Sequence, residues 1–535
     1  MMNRRIRERV DDFLSGLGSP PPRYPVEAGD ARAHHPWLVA SLALVLFGTA
    51  FRLFTYFSVQ PLNYDEIRLL LNVVDRSYRG LLEPLSHEQG APLGFLFATK
   101  LFTNAAGEGE LAARLFPLLC GIGSLCIFWV IAHRHLRGIG ALVALTLISL
   151  SPTLIHRSAE FKQYSTDIFM MSAMLLALLE WLGEPRTTGR WILMTCIGAF
   201  CLGFSHPSVL YLGPVSLLLF CDSVVEKDWK QLRRVGGVLT IWVCVLSLAF
   251  WFNMRHIMGR DHFMVYWQPD FMPTDSLGAA LYWLAKSPLK IAKMLGCHRI
   301  LSIVLVLPAA AGLLSFLSRK RLAGLAMVLM FIAPLVAAMM RIYPFGDRLI
   351  VFMIPLLLVC LAEGLNRLTS IWRPLPLLVW CLCIVVFGGA SVRAYVYNNH
   401  PYQYPDIKST LEYLDAHASD DEPILVSVSL NYPYSYYSRF RAWGGQSFFL
   451  SPQRGVDLSG DEVTSLMREA IDTLGSLRSL WVLVGSSRHI RRGVYEDPRP
   501  AYLAAMNSIG QIRDIIEYQG ITLYHVSASG HGGAI

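Results

Sequence analysis

Apolar runs of about twenty residues recur along this chain, and each is long enough to cross a bilayer as a helix. "WLVASLALVLFGTAFRLFTYF", 37–57, is the first. Others are expected near 112–132, 139–155, 167–182, 191–205, 208–223, 236–253, 300–317, 323–340, 349–365 and 375–395, about eleven spans in all. Segment 91–103, "APLGFLFATKLFT", is too short to cross and reads as a re-entrant or interfacial helix. Composition agrees: 53% of the 535 residues are hydrophobic and only 16% charged, far less charge than a soluble domain of this size carries.

Charge placement orients the spans. With a cytoplasmic N-terminus, the inside connections are "HRHLRG", "EPRTTGR", "EKDWKQLRR", "SRKR" and "NRLTSIWR", short and rich in Lys and Arg, as the positive-inside rule asks. The net charge of +8 then marks cytoplasmic loops, not nucleic-acid binding. The start, "MMNRRIRERV", leads into "SPPPRYP" and not into an apolar stretch with a cleavage site, so 1–36 is expected to be a cytoplasmic tail. Residues 37–397 form the membrane domain, and every long connection, with all that follows 397, falls on the outer face. Nine of the ten cysteines lie in apolar runs and only Cys297 lies near a loop, which excludes a disulfide framework and a CxxC metal site. The tail 398–535 alternates helical spacing ("DIKSTLEYLDAH", "DEVTSLMREAIDTL") with buried-strand runs ("PILVSVSL", "SLWVLVG"), predicting a small α/β domain. It has no GxGxxG and no P-loop, so no nucleotide is assigned to it.

Three polar stretches interrupt this pattern. "QPLNYDEIRLLLNVV", 60–74, sets Asp65 and Glu66 in the first turn of a helix whose apolar residues Ile67, Leu70, Leu71 and Val74 recur at helical spacing. Either Asn63 or Asp65 caps this helix, or the carboxylates face a wet cavity, since paired acids at a membrane boundary are otherwise costly. "HRSAEFKQYSTD", 156–167, crowds six ionisable residues between two spans; if it is helical, Glu160, Tyr164 and Asp167 share a face and Lys162 points elsewhere. "IYPFGDRLIVFMIP", 342–355, puts Arg348 at the mouth of a span, either snorkelling to headgroups or binding a phosphate with its planar fork. His206 in "FSHPSVL" reads mainly as part of a helix break, and "SHEQGAPLG" brings His87 and Glu88 together without zinc spacing.

Taken in order, "NYDE", "GAPLGFLFATKLF", "ARLFPLLCGIGSL", "SAEFKQYSTDIFM", "SHPS" and "YPFGDRLIVFMIPLLLVCLAEGL" resemble the membrane glycosyltransferases of GT-C fold. The likeness is greatest to the family 39 protein mannosyltransferase and aminoarabinose-transferase-like group. It covers roughly 37–395 and implies sugar transfer from a polyprenyl-phosphate carrier to a glycan, lipid or protein hydroxyl. That places an integral protein in the plasma (bacterial inner) membrane, with its active site and C-terminal domain extracytoplasmic. By the same resemblance Asp65 is expected to be the catalytic base or to lie beside it, and the adjacent Glu66 is expected to orient the acceptor or a metal. The resemblance implies that Glu160 or Asp167 helps bind donor or metal; a leaving phosphate that gains charge needs cations, so Lys162 and Arg348 are expected to bind it, with Tyr164 beside them. A divalent metal stays open, with Asp65, Glu160 and Asp167 as candidate ligands. "HEQGAPLG" departs from the His-Pro-Pro type of sequence found in the mannosyltransferases, so sugar and acceptor are not specified. A transporter is the rival class, but it should show repeated halves and mid-membrane charges. A non-catalytic lipid-linked-sugar binding or assembly protein would tolerate Asp65→Asn.

Overall fold

A computed structural model describes residues 31–58, 61–136, 138–183, 186–258, 261–296, 299–319, 321–368, 374–396, 405–441, 446–450, 460–474, 478–485 and 497–528. Cys297, most of the expected N-terminal tail (1–30) and parts of the basic connections (137, 184–185, 320 and 369–373) lie outside these residues. The chain forms two compact units. One groups Asn72–His400 with the residues before Gln60, and the other groups Gln60–Leu71 with Pro401–Ile535.

The first unit is a helical membrane bundle. Each of the eleven apolar runs is helical, and among the described residues eight helices are long and apolar enough to cross a membrane, or nine counting one bent pair. The other two runs fall short for local reasons. Tyr164–Trp181 carries Asp167 and Glu180 and is buried along most of its length, while Thr188–Phe204 is apolar but has only 17 residues. Leu93–Ala106 is a 14-residue helix packed on Glu110–Ile131, as its length suggested. Ile354–Leu368 runs through the core, buried at nearly every position. It approaches Arg299–Arg319 so closely that a Cβ on Gly312 would stand 1.9 Å from Cys360 O, and one on Gly364 1.8 Å from Pro308 O. Small residues there let two backbones touch, the usual basis of helix association in lipid.

The expected span 139–155 is in fact broken. Gly138–Leu150 and Pro152–Ser158 meet at 51° across Ser151. A helix end leaves its last four carbonyls without helical donors, which lipid punishes severely. Here all four are met: Leu147 O by Ser151 N, Ile148 O and Ser149 O by the two terminal nitrogens of Arg52, and Leu150 O by Ser391 Oγ. Arg52 also reaches Gly48 O and is only 1% exposed. Ser151 then caps the next helix by accepting from Leu154 N, while its hydroxyl donates to Leu295 O. Pro at the first helical position suits this restart.

The second unit holds a five-stranded mixed sheet of order β2-β1-β3-β5-β4, with β1 (Ile424–Val426), β2 (Ser447–Phe449), β3 (Ser479–Gly485), β4 (Gly510–Tyr518) and β5 (Ile521–Ala528). β1 runs parallel to β2 and β3, whereas β5 pairs antiparallel with β3 and β4. Helices Gly460–Leu474 and Arg499–Ile509 pack together, and Val463, Met467, Tyr502 and Met506 from them join Leu480, Val482 and Val484 of β3 in one core. β1 and β3 coincide with the two apolar runs read as strands. The β4–β5 hairpin was not read, because the β4 sequence "GQIRDIIEY" is half exposed and mixes charges with apolar residues.

Candidate active site

Asp65 and Glu66 open the helix Tyr64–Asp75, but they do different things. Asn63 is the cap: its Oδ1 accepts from Glu66 N at 2.9 Å while Glu66 Oε2 accepts from Asn63 N at 2.8 Å. This reciprocal pair is a capping box, which satisfies two orphan amides at once. Glu66 is turned inward and 1% exposed, whereas Asp65, about 100° further round the helix, is only partly buried. Ile67, Leu70 and Leu71 are buried as their spacing indicated; Val74 is only partly buried, and Leu69 and Val73 are buried instead.

In the membrane unit, the chain between the broken span and the next helix forms a compact turn. The sequence allowed a continuous helical face for Glu160, Tyr164 and Asp167; the backbone instead leaves the helix after Ser158 and re-enters at Tyr164, with Lys162 N bonded to Glu160 O at 2.7 Å. The short helix ends here, which puts Glu160 and Lys162 on the turn. The Glu160 carboxylate, 3% exposed, ion-pairs with Arg157. Burial alone would push its pKa up; Arg157, His156 and Arg348 together more than offset this and hold Glu160 below the usual carboxylate range. Arg157 and Arg348 also flank one aromatic ring, their guanidinium carbons 5.1 and 5.7 Å from the centre of Tyr164. Arg348 lies 5.9 Å from Trp267 as well. Asp167 sits buried in the first turn of Tyr164–Trp181.

Lys162 points another way. Its ammonium donates to Gln89 Oε1 at 2.7 Å, and both residues are buried. Gln89 belongs to a loop held by Asn72, which exchanges two hydrogen bonds with Ser86 at 3.1 and 2.8 Å. His87 and Glu88 in that loop both have positive φ, 61° and 54°, conformations that L-residues adopt at a cost and that gather at functional sites. A third such residue, Asp347 at φ 45°, immediately precedes Arg348. Its neighbour Gly346 has no room for a side chain, since a Cβ would meet Asp270 Oδ1 at 2.0 Å. Asp270 O accepts from Phe345 N, and Lys290 reaches Phe345 O at 3.1 Å, fixing the loop that aims Arg348. His206 Nε2 lies 2.6 Å from Asn253 Oδ1; Asn253 gives its amide hydrogen to Ala91 O, so the imidazole is the donor.

The structure thus gathers Glu160, Tyr164 and Arg348, places Lys162 on a separate contact with Gln89, and carries Asp65 and Glu66 in the other unit. Sequence reasoning did not single out Arg157, Gln89, Trp267 or Asn253. Arg157 had a signal in its place among the six ionisable residues of 156–167; the others lack one, because their partners are remote in sequence. Among the described residues, no three His, Cys, Asp or Glu side chains come close enough to share a metal ion, and the steps proposed below use side chains alone.

Comparison with known proteins agrees with this architecture. Residues 90–251 match the family model described as dolichyl-phosphate-mannose-protein mannosyltransferase. The crystal structure of ArnT from Cupriavidus metallidurans bound to undecaprenyl phosphate superposes with a TM-score of 0.56 at 14% identity, covering 92% of this chain and 98% of that one. The oligosaccharyltransferase of Archaeoglobus fulgidus, in complex with Zn and sulfate, gives a TM-score of 0.48 at 12% identity over 91% of this chain and 72% of that one. No curated protein sequence matches. The fold is that of the GT-C glycosyltransferases, as the motif order implied, with a small C-terminal sheet domain.

Proposed function

We propose that this protein transfers a sugar from a polyprenyl-phosphate-linked donor to an acceptor hydroxyl on the extracytoplasmic side of the plasma membrane. One observation carries the reading: the guanidinium groups of Arg157 and Arg348 both lie against the Tyr164 ring, and both act on the buried Glu160 carboxylate. Two guanidinium groups gathered on one ring present several N–H donors close together, and a guanidinium fork suits a phosphate. The undecaprenyl phosphate in the ArnT structure is a carrier of the class proposed.

In the reaction the acceptor oxygen attacks the anomeric carbon as its proton passes to the Asp65 carboxylate. The bond from that carbon to the carrier phosphate breaks, and the phosphate leaves with the electron pair. Charge grows on the phosphate as the bond lengthens, so Arg348 and Arg157 stabilise the transition state more than the ground state. Lys162, on the same turn but bonded to Gln89, contributes its charge from outside the Tyr164 cluster. Glu160 keeps Arg157 aimed, and Glu66 holds the helix start beneath Asp65.

The test is transfer of radiolabelled sugar from polyprenyl phosphate to a cell-envelope extract by the purified protein. Asp65→Asn keeps size and capping ability but loses the proton acceptor, so turnover should fall about 10²–10⁴-fold with donor binding retained. Arg348→Ala and Lys162→Ala should weaken donor binding in a folded protein. Transfer by Asp65→Asn at the wild-type rate would return this stretch to a plain helix start.

A further inference from the structure

The tyrosine-rich stretch "NYPYSYYSRF", 431–440, takes no part in the chemistry above. Its helix, Asn431–Tyr437, belongs to the same compact unit as residues 60–71 and is bonded to them directly. Tyr437 Oη accepts from Leu62 N at 2.7 Å, a bond between residues 375 positions apart, and these two residues are 5% and 3% exposed. Tyr432 meets the Tyr64 ring edge-on at 5.1 Å and 81°. Arg68, one helical turn after Tyr64, lies 5.6 and 5.5 Å from the centres of the Tyr64 and Tyr432 rings. The anchor continues to the sheet, since Tyr434 of the same helix packs on Phe449 of β2 at 5.8 Å.

We infer that the C-terminal domain is a positioning device: Tyr432 and Tyr437 hold residues 62–68 and so set where the Asp65 carboxylate stands. The inference rests on the reading of Asp65 as the base. Leu62, Asn63 and Tyr64 are held before it, and Glu66 and Arg68 after it, by contacts that do not use its carboxylate. The Leu62 bond is shielded from water, and the aromatic pair and the cation–π contacts add to its hold on the segment. A general base acts only within hydrogen-bond reach, and a shift of about 1 Å can cost about 10²-fold in rate.

Steady-state transfer and amide hydrogen exchange on the full-length protein in detergent test this. Tyr437→Phe removes only the acceptor oxygen, and Tyr432→Ala removes the ring. Both should lower kcat about tenfold or more, leave the donor KM within about twofold, and speed exchange of the amides of 62–68. Tyr432→Phe, which keeps a ring face for Arg68, should restore most of the rate. Trp481→Phe, a comparable change in the domain core away from these contacts, should leave kcat unchanged. If both tyrosine variants turn over normally while Asp65→Asn is inactive, the inference is wrong and the reading of Asp65 stands. An active Asp65→Asn removes that reading and the inference with it. Equal loss of kcat in Trp481→Phe would mean general loosening of the domain and would also overturn the inference. Should Tyr432→Ala not fold, Tyr437→Phe decides alone.

Discussion

His206 shows how much a single side chain depends on its surroundings. From "FSHPS" it read as part of a helix break, and that is where it stands, but its bond to Asn253 joins elements 47 residues apart. Burial lowers its pKa from 6.5 to about 4, with the Asn253 contact opposing the shift. The sign follows: as pH falls, the unfolded chain takes up the proton first, so stability is full above about pH 6.5 and drains away between about 6.5 and 4. The loss is at most about 3 kcal/mol, and smaller because the residue is only partly buried. His206→Gln should remove this part of the acid sensitivity, measured as the change in apparent Tm in detergent between about pH 7.5 and 4.5. An unchanged profile would mean that His206 is protonated in the fold. Asp65 and Glu66 teach a related lesson. The sequence offered cap or chemistry for the pair together; the fold gives the cap to Asn63 and Glu66 and leaves Asp65 out of it.

Among the elements, the broken span matters most. Its bend lets a short helix deliver Arg157 and His156 beside Glu160 instead of continuing the run across the membrane. Arg52 supports the break by donating to Ile148 O and Ser149 O inside an apolar bundle. Each buried carbonyl left without a donor costs about 1–3 kcal/mol, so Arg52→Leu should destabilise the protein by about 3 kcal/mol or more and reduce transfer. Arg52→Lys, which keeps one donor group, should lie between. Thermal unfolding of the purified variants checks the order, and a fully stable Arg52→Leu would show that the break holds itself. Nothing in "FGTAFRLFTYF" announces this role, since an arginine within an apolar run reads equally as a snorkelling residue.

At the level of the whole chain, the alternation of basic connections and the odd number of expected spans predict that the C-terminal unit lies outside the cytoplasm. Alkaline phosphatase fused after residue 397 should be active, while β-galactosidase fused there should not; the reverse would overturn the topology. Several basic residues at the expected cytoplasmic connections are held in ion pairs: Arg134 with Glu180, Arg186 with Asp222 and Glu226, and Arg319 and Arg367 with Glu363. These pairs tie neighbouring helix ends together as well as carrying charge.

The membrane bundle, its helices and the likeness to GT-C enzymes were all legible in one dimension, because span length, hydropathy and loop charge are local properties that lipid imposes on any chain. β1 and β3 were legible for the same reason, as continuous apolar runs. The break at Ser151, the turn that separates Glu160 from Tyr164, and the meeting of Arg157 and Arg348 at the Tyr164 ring were not. Each depends on a partner far away in sequence: Arg52 for the break, Arg348 for the cluster at Tyr164, and Tyr437 for the segment around Asp65. Local pattern cannot encode which distant donor will satisfy a carbonyl or which ring will meet an arginine. Only packing brings those groups within reach.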